Sequence, residues 1–336
     1  MIETCKPASA RPPATGRDPR LAAWRLRLSH FGRAVFGLID DNGDERKKLQ
    51  NTTERTAHPK TVLGPTTTLP PDPSTMLYDI CARTDVGRTR DNNEDAVSFD
   101  AANGLCILAD GMGGYNAGEI ASGLATAFIQ TELGRWLAEN AGLASTKQLR
   151  RAIEISILNA NHSILSAAAS TPQYAGMGTT VVVCLFRANR LLIGHIGDSR
   201  CYRLRGRELT QLTKDHSLLQ ERLDAGHITA EQALTSTDRY LVTRALGVED
   251  LAEAEVAEHR VDSGDLYLMC SDGLTDMVSD PNIAAILQQA LPLPQKAERL
   301  IDAANQAGGR DNISVMLVQA GQWRAKRNLL ARMLGK

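Results

Sequence analysis

From about residue 77 onward, the chain consists of short apolar runs separated by turn-forming residues. The runs are rich in Val, Ile, Leu and Tyr, and their length and composition are typical of β-strands. The predicted strands cover 77–82, 105–109, 181–186, 191–196, 200–205, 265–271 and 313–319. Only a few residues separate the three runs between 181 and 205, whereas a parallel crossover needs about a dozen. We therefore expect these three strands to be antiparallel neighbours.

Two longer segments have the apolar spacing of helices. One follows Gly118 to about Leu137, and the other starts near Ser145. The second places one apolar stripe on Leu149, Ile153, Ile157, Ala160 and Ile164. Strands in meanders with helices between them predict an α+β domain built in layers, not a doubly wound parallel sheet.

The first 76 residues differ in amino-acid composition from the rest. They hold most of the chain's 13 prolines and cannot form regular ladders, so they are predicted to be a Pro/Thr-rich leader. Within it, apolar residues recur at helical spacing from Leu21 to Leu38, with arginines between them. Residues 323–336 are predicted to form a similar basic helix. Each helix could pack on the main domain or dock on a partner or membrane surface. The predicted organisation is thus a leader at 1–76, a main domain at 77–320 and a basic tail at 321–336.

Charge is unevenly distributed in this chain of 336 residues, although its net charge is only −1. Residues 1–76 carry 12 Lys and Arg against 8 Asp and Glu, and residues 321–336 carry 5 against none. The part between them is acidic. This argues against nucleic acid as the ligand of the main domain, because phosphate backbones require a basic surface. An acidic main domain suits a site that gathers metal cations.

The spacing of the cysteines and the first twenty residues both bear on the cellular compartment of the protein. The six cysteines show no CxxC spacing, and most of them lie inside apolar runs, which favours reduced thiols in the core. No secretory signal is visible in the first twenty residues, and no apolar run is long enough to span a membrane. The sequence therefore predicts a cytoplasmic protein.

Acidic residues recur at the ends of the apolar runs, mostly beside glycines. Asp110, Asp198 and Asp272 come at the ends of such runs. A carboxylate at a buried strand end is costly unless it is paired or metal-bound, and a nearby glycine lets the chain turn sharply. Asp-Gly can also mark a simple hairpin turn, which explains any one instance but not the set. Hard cations such as Mg²⁺ and Mn²⁺ prefer oxygen ligands of this kind. The full set is Glu94, Asp95, Asp110, Asp198, Asp272 and Asp311.

Seven motifs in order resemble a known family, the bacterial metal-dependent serine/threonine protein phosphatases of the PPM group, or type 2C. They are GRTRDNNED at 87–95, DGMGG at 110–114, GMGTT at 176–180, GDSR at 197–200, VTRALG at 242–247, SDG at 271–273 and GRDN at 309–312. The resemblance covers roughly residues 77–320. It implies a four-layer α/β/β/α sandwich, in which helices flank two antiparallel sheets.

The resemblance also implies a metal centre with two Mn²⁺ or Mg²⁺ ions and a position for a third. Asp110 would bridge two ions, and the Gly111 carbonyl would bind one of them. Asp272 and Asp311 would hold the other. Asp198, together with Asp272, matches the position of the third metal in bacterial members.

Three further residues have implied roles around this centre. Glu94 and Asp95 would hold metal-bound waters, or one of them would be a direct ligand, and Asp95 is counted with the catalytic residues. Arg90 would bind the substrate phosphate, since its fork matches phosphate oxygens. Hydrolysis would then proceed by direct attack of a metal-bridging hydroxide, without a phosphoenzyme.

The histidines depart from the pattern of eukaryotic members, which have a His directly after the DG pair. Met112 stands there in this chain, so no general acid is assigned. His162 and His195 are predicted to be core or surface residues. His216 begins a segment that matches the variable flap of bacterial members, and it is a candidate for contact with the substrate.

The implied activity is hydrolysis of phosphoserine and phosphothreonine in proteins, reversing a bacterial Ser/Thr kinase. An inactive module that only binds phosphoproteins is the alternative of a different class, but every expected carboxylate is present. A third hypothesis keeps the chemistry and narrows the substrate to an anti-sigma antagonist or a secretion-system regulator. The expected partners are a Ser/Thr kinase and its targets, with docking or membrane contact through the basic termini and no nucleic acid.

Overall fold

The computed structural model describes residues 77–113, 117–140, 144–233, 236 and 241–321. These residues belong to one compact unit that spans Thr68–Lys336. The helices predicted within 21–38 and 323–336 lie outside the described residues. Among those that are described, no helix has the length and apolar character needed to cross a bilayer.

The described part of the chain contains eleven strands and seven α-helices. The strands are β1 (Tyr78–Asp85), β2 (Asp95–Asp100), β3 (Leu105–Met112), β4 (Gly178–Thr179), β5 (Val181–Arg187), β6 (Arg190–Ile196), β7 (Arg200–Arg205), β8 (Glu208–Gln211), β9 (Glu255–Arg260), β10 (Leu266–Cys270) and β11 (Ile313–Ala320). The helices are α1 (Ala117–Asn140), α2 (Thr146–Ser170), α3 (Leu218–Asp224), α4 (Ala230–Ala233), α5 (Asp272–Thr275), α6 (Asp280–Leu287) and α7 (Leu293–Gln306), with a 3₁₀ turn at Pro172–Tyr174.

Two antiparallel sheets contain these strands. The first has the order β1-β11-β10-β7-β8, and the second has the order β2-β3-β5-β6-β9, with β4 paired to β3. Where β2 meets β3, Asp95 is paired in register with Asp110. Two predicted site residues therefore lie side by side at one end of the second sheet.

Three apolar layers hold the sandwich together. The first lies between the second sheet and α1 and α2, where Ile107, Ile129 and Ile157 are fully buried. The second lies between the two sheets, and the third lies between the first sheet and α5 to α7. Helix α2 starts at a capping box in which Ser145 and Gln148 satisfy each other's backbone N–H groups. The predicted four-layer α/β/β/α sandwich is confirmed.

One predicted pairing is wrong. β5 and β6 pair as expected, but β6 lies in the second sheet and β7 in the first. Between them, Gly197 has φ +105°, in the region that favours glycine. A Cβ on Gly197 would lie 2.6 Å from Thr180 Cβ, so the turn also needs glycine for space. The short connection does not make a hairpin because this turn carries the chain from one sheet to the other.

The sequence analysis did not predict β2, β8 and β9, nor the helices α6 and α7. β2 and β9 are edge strands of the second sheet and β8 is an edge strand of the first, and none of them contains a buried residue. Edge strands need no continuous apolar run because one side has no neighbouring strand. Helices α6 and α7 each have a proline within the first turn, where a missing N–H costs nothing.

Candidate active site

The predicted acidic residues converge at one end of the sandwich. Asp95 and Asp110 come from the second sheet, whereas Asp272 follows β10 and Asp311 precedes β11 in the first. Asp198 lies in the turn that crosses between the two sheets. The acidic pocket, as we call these five aspartates together with Glu94, is therefore built from both sheets.

Asp110 is fixed through its backbone by the GMGTT motif. Its N–H donates to Thr180 Oγ1 at 3.1 Å, and its carbonyl accepts from Thr180 N at 2.9 Å and from Thr179 Oγ1 at 2.8 Å. Thr180 Oγ1 also lies 2.8 Å from Ser199 Oγ, next to Asp198. The bonds to Thr179 and Thr180 are made by the backbone of Asp110 and hold the residue beside the crossing turn.

Two carboxylate oxygens in the acidic pocket are buried and have no hydrogen-bond partner among the residues that the structure describes. Ser271 Oγ donates to Asp95 Oδ2 at 2.8 Å, but Asp95 Oδ1 has no partner. Asp272 Oδ1 is also buried and has no hydrogen-bond partner among the described residues. An unpaired buried carboxylate oxygen is expensive, so both atoms call for a ligand that supplies positive charge.

The pKa values in the acidic pocket reflect this crowding. Burial, followed by the charges of neighbouring aspartates, raises the pKa of Asp110 and of Asp272 well above the usual range. Burial raises the pKa of Asp95 to about 6, although hydrogen bonds from Ser314 and Ser271 act to lower it. Burial and then the Asp215 charge raise the pKa of Asp198 to about 6. These carboxylates can all be ionised at neutral pH only if a cation offsets their repulsion.

Glycines let the backbone approach Glu94. A Cβ on Gly118 would lie 2.4 Å from Glu94 Oε2, and a Cβ on Gly111 would lie 2.6 Å from the Glu94 carbonyl. Gly111 N–H donates to that carbonyl at 3.1 Å. Burial raises the pKa of Glu94, partly offset by Arg90. Gly118, in the first turn of α1, therefore makes room for this carboxylate, and Gly111 makes room for the Glu94 backbone.

Arg90 lies at the rim of the acidic pocket. Its Nη2 donates to Asp311 Oδ2 at 2.8 Å, and half of its side chain is exposed. The loop that carries it is anchored by Asn312, whose Nδ2 donates to Val86 O at 2.9 Å and whose Oδ1 accepts from Glu94 N at 2.8 Å. A guanidinium at this rim is well placed to meet an anionic group that enters from solvent.

His216 is buried, unlike a side chain that reaches for substrate. Only 7% of its surface is exposed, and its Nδ1 accepts a hydrogen bond from Gly197 N at 3.1 Å. Its ring stacks on the ring of His195 at 4.8 Å. The contact with substrate that the sequence suggested stays a prediction, and the observed contacts are with the turn before Asp198. His162 is exposed on α2, and His195 is a core residue.

Residues that the sequence analysis missed complete the acidic pocket. Asp276 follows Asp272 by four residues on the same helical turn, and its charge acts on both Asp272 and Asp198. Ser271 and Thr180 hold carboxylate residues in place, as described above. The signal for Asp276 was its i, i+4 spacing from Asp272, and the signal for the other two was their position inside motifs.

The donor set fits divalent hard cations. It offers only oxygen ligands, several of them carboxylates with raised pKa values, and two of its oxygens are buried and unpartnered. Zn²⁺ sites, in contrast, draw on Cys and His. Mg²⁺ or Mn²⁺ is therefore the kind of ion that this pocket suits.

Comparisons with known proteins agree with this chemistry. The sequence profile described as protein phosphatase 2C matches residues 87–316. Protein phosphatase PhpP of Streptococcus pneumoniae is 38% identical over 248 residues, which cover 73% of this chain and 98% of that protein. The serine/threonine protein phosphatase PstP of Mycobacterium tuberculosis is 41% identical over 246 residues, which cover 72% of this chain and 45% of that protein.

Solved structures are similar as well. The catalytic domain of PstP in complex with two manganese ions superposes with a TM-score of 0.64 at 39% identity, covering 74% of this chain and 100% of that one. A serine/threonine phosphatase from Streptococcus agalactiae gives a TM-score of 0.65 at 36% identity, with 72% and 99% covered.

Proposed function

This chain belongs to the protein phosphatase 2C family, and we propose that the acidic pocket is the centre at which it hydrolyses its substrates. It is a metal-dependent serine/threonine protein phosphatase, as its relatives are. The observation that carries the site assignment is the convergence of five aspartates with two buried, unpartnered carboxylate oxygens.

Asp110, Asp272 and Asp311, with the Gly111 carbonyl, would hold two Mn²⁺ or Mg²⁺ ions, and Asp198 with Asp272 would hold a third. When bound, such ions acidify a water molecule and neutralise charge on the phosphate. Glu94, which packs against Gly118 of α1, would hold water at the edge of the centre.

Two residues would act on the substrate and the attacking water. The Arg90 fork would bind the phosphate oxygens and align the phosphorus for in-line attack. Asp95 has its Oδ2 held by Ser271, which leaves Oδ1 to accept a hydrogen bond or proton from the attacking water. The phosphate would leave without any covalent bond to the protein, since an activated water, and not a side chain, would be the nucleophile.

The partners would be phosphorylated proteins, among them the targets of a Ser/Thr kinase. A cytoplasmic site of action is supported by five free thiols, at Cys81, Cys106, Cys184, Cys201 and Cys270, since such thiols persist in a reducing compartment. The basic ends, 1–76 and 321–336, would dock on a partner or an anionic surface and take no part in catalysis. A protein of residues 77–320 should then still hydrolyse p-nitrophenyl phosphate.

The experiment that tests the site assignment compares Asp110→Asn with Asp302→Asn, an exposed aspartate on α7. After EDTA treatment and readdition of Mn²⁺, hydrolysis of a phosphothreonine peptide should fall by about a hundredfold or more in Asp110→Asn. Asp302→Asn should match the wild type. Full activity in Asp110→Asn, or in EDTA alone, would contradict the assignment.

A further inference from the structure

A short segment, residues 214–216, runs beside the turn that carries Asp198. The Lys214 carbonyl lies 2.8 Å from His195 Nε2, on the β6 side of that turn. The Asp215 carboxylate accepts two hydrogen bonds from Arg200 Nε and one from Nη2, on the β7 side. Consecutive residues of this segment therefore hold the chain both before and after Asp198.

His216 makes the contact closest to Asp198 along the chain. Its backbone N–H donates to Gly197 O at 3.0 Å, and its ring Nδ1 accepts from Gly197 N–H at 3.1 Å. One residue thus satisfies both backbone groups of Gly197. Because Gly197 adopts φ +105° at the crossing turn, these two bonds fix the direction in which the chain enters Asp198.

The ring can serve as an acceptor only while it is neutral. Burial, followed by the neighbouring His195 and Arg244, lowers the pKa of His216 to about 4, so Nδ1 keeps its lone pair at neutral pH. The ring proton is then on Nε2, which is buried 3.7 Å from Glu255 Oε2 without a hydrogen-bond partner.

This tautomer also decides what the cluster of His195, His216 and Glu255 does. The three side chains offer ligand atoms within 4.8 Å of one another, a spacing compatible with a metal ion. A metal at His216 Nε2 would need the lone pair there and the proton on Nδ1, which would then face the Gly197 N–H. The observed hydrogen bond therefore favours a structural clamp over a second metal site.

The same residue lies at the neck of the flap, which we define as residues 218–241. Thr243 N–H donates to the His216 carbonyl at 2.8 Å, and Leu218 N–H donates to Leu241 O at 2.9 Å. Ser217 and Val242 form a β-bridge between these bonds. The flap therefore leaves and rejoins the domain at His216.

We propose that His216 is a positioning residue that couples the neck of the flap to Asp198 through its two hydrogen bonds with Gly197. The proposal rests on the proposed role of Asp198 in the metal centre. His216 touches neither substrate nor metal in this account. It sets the path of the turn from which the Asp198 carboxylate reaches the acidic pocket, so its loss should weaken cation binding at that carboxylate.

Two isosteric variants separate the ring's two nitrogens. In His216→Asn the side-chain amide oxygen can occupy the place of Nδ1 and accept from Gly197 N–H, whereas in His216→Gln the amide reaches the place of Nε2. Calorimetric titration with Mn²⁺ should show the weakest site losing about tenfold or more in affinity in His216→Gln, as for the loss of an outer-shell partner. His216→Asn should stay within about threefold of the wild type. Glu255→Gln, which alters only the Nε2 side, should bind Mn²⁺ like the wild type.

Amide hydrogen exchange of the metal-free proteins supplies a readout independent of the metal. Exchange in the peptide that contains Gly197 should be faster in His216→Gln than in the wild type, and close to wild type in His216→Asn. Equal exchange in all three, or equal Mn²⁺ affinity in His216→Gln and His216→Asn, would overturn the proposal. Thermal melting identifies any variant that is unfolded.

Asp198→Asn tells this proposal apart from the proposed function. If Asp198→Asn weakens Mn²⁺ binding and His216→Gln does not, the clamp is wrong and the site assignment stands. If Asp198→Asn leaves Mn²⁺ binding unchanged, the role of Asp198 fails, and the coupling to His216 fails with it.

Discussion

Two aspartates flank the same strand and have opposite environments. Asp265 precedes β10 and is 1% exposed, and it accepts hydrogen bonds from Arg205 Nε at 2.8 Å and from Tyr267 Oη at 3.0 Å. Asp272 follows β10 and has a buried Oδ1 with no partner. The first carboxylate is satisfied by the protein itself, whereas the second is left for something that the protein does not supply.

The pKa values of the two aspartates move in opposite directions. Burial alone would raise the pKa of Asp265, but the hydrogen bonds from Arg205, the Asp262 amide and Tyr267 outweigh burial and lower it. Burial and the charges of Asp198 and Asp276 raise the pKa of Asp272 well above the usual range. Burial is common to both, so the partners decide the sign. The comparison separates an aspartate that stabilises the fold from one that the fold must tolerate for its function.

Exchanging Asp272 for Asn should remove most of the catalytic activity. Turnover of a phosphothreonine peptide should fall by about a hundredfold or more, because the variant loses a carboxylate that we propose as a metal ligand. The metal-free protein should become more stable, since a buried, repelled charge is removed. Steady-state kinetics with Mn²⁺ and urea unfolding in EDTA measure the two effects. A variant with near wild-type kcat would contradict the comparison.

Exchanging Asp265 for Asn should lower the stability of the protein and leave its kcat unchanged. The variant loses the charged pairing with Arg205, and its stability should fall by about 2–3 kcal/mol, below the cost of breaking a fully buried pair because Arg205 is partly exposed. The kcat of the folded fraction should be unchanged. Urea unfolding followed by kinetics at a temperature where the variant is folded tests both expectations. A loss of kcat as large as that of Asp272→Asn would show that the roles of Asp265 and Asp272 are not separate.

The pH dependence of stability should also distinguish the aspartates with raised pKa values from Asp265, although the effect is smaller than those of the two substitutions. In the metal-free protein, Asp95 and Asp198 have folded pKa values of about 6 against ~3.9 when unfolded. The folded state therefore binds more protons between pH ~4 and ~6, and the free energy of unfolding falls as pH rises through this window. Asp265, with a lowered pKa, contributes stability above its unfolded value and loses it as the pH falls through its folded pKa.

Urea unfolding in EDTA at pH 4.5 and pH 7 measures this effect in the wild type and in Asp198→Asn. The decline between the two pH values should be smaller in the variant by about 1–2 kcal/mol, allowing for relaxation of the pocket. An equal decline in both proteins would contradict the raised pKa of Asp198.

Much of the comparison could be predicted from the sequence. The apolar run at 265–271 was predicted as a strand, and Asp272 became a candidate site residue because it follows that run, while its place in the metal centre was implied by the family resemblance. The role of Asp265 could not be predicted, since its partner Arg205 lies 60 residues away. The crossing turn at Gly197 was mistaken for a hairpin because connection length does not reveal which sheet a strand joins. The burial of His216 depends on the same turn and was missed for the same reason.

The most direct test of the central claim, that the acidic pocket keeps buried carboxylates for cations, is the number of protons released when Mn²⁺ binds. Titration calorimetry at pH 6, in buffers with different ionisation enthalpies, gives this number. Because the pKa values of Asp110 and Asp272 are raised, these groups hold protons that a cation must displace. The account predicts release of about one proton or more by the wild type and less by Asp272→Asn. Mn²⁺ binding without proton release, or with the same release in both proteins, would contradict it.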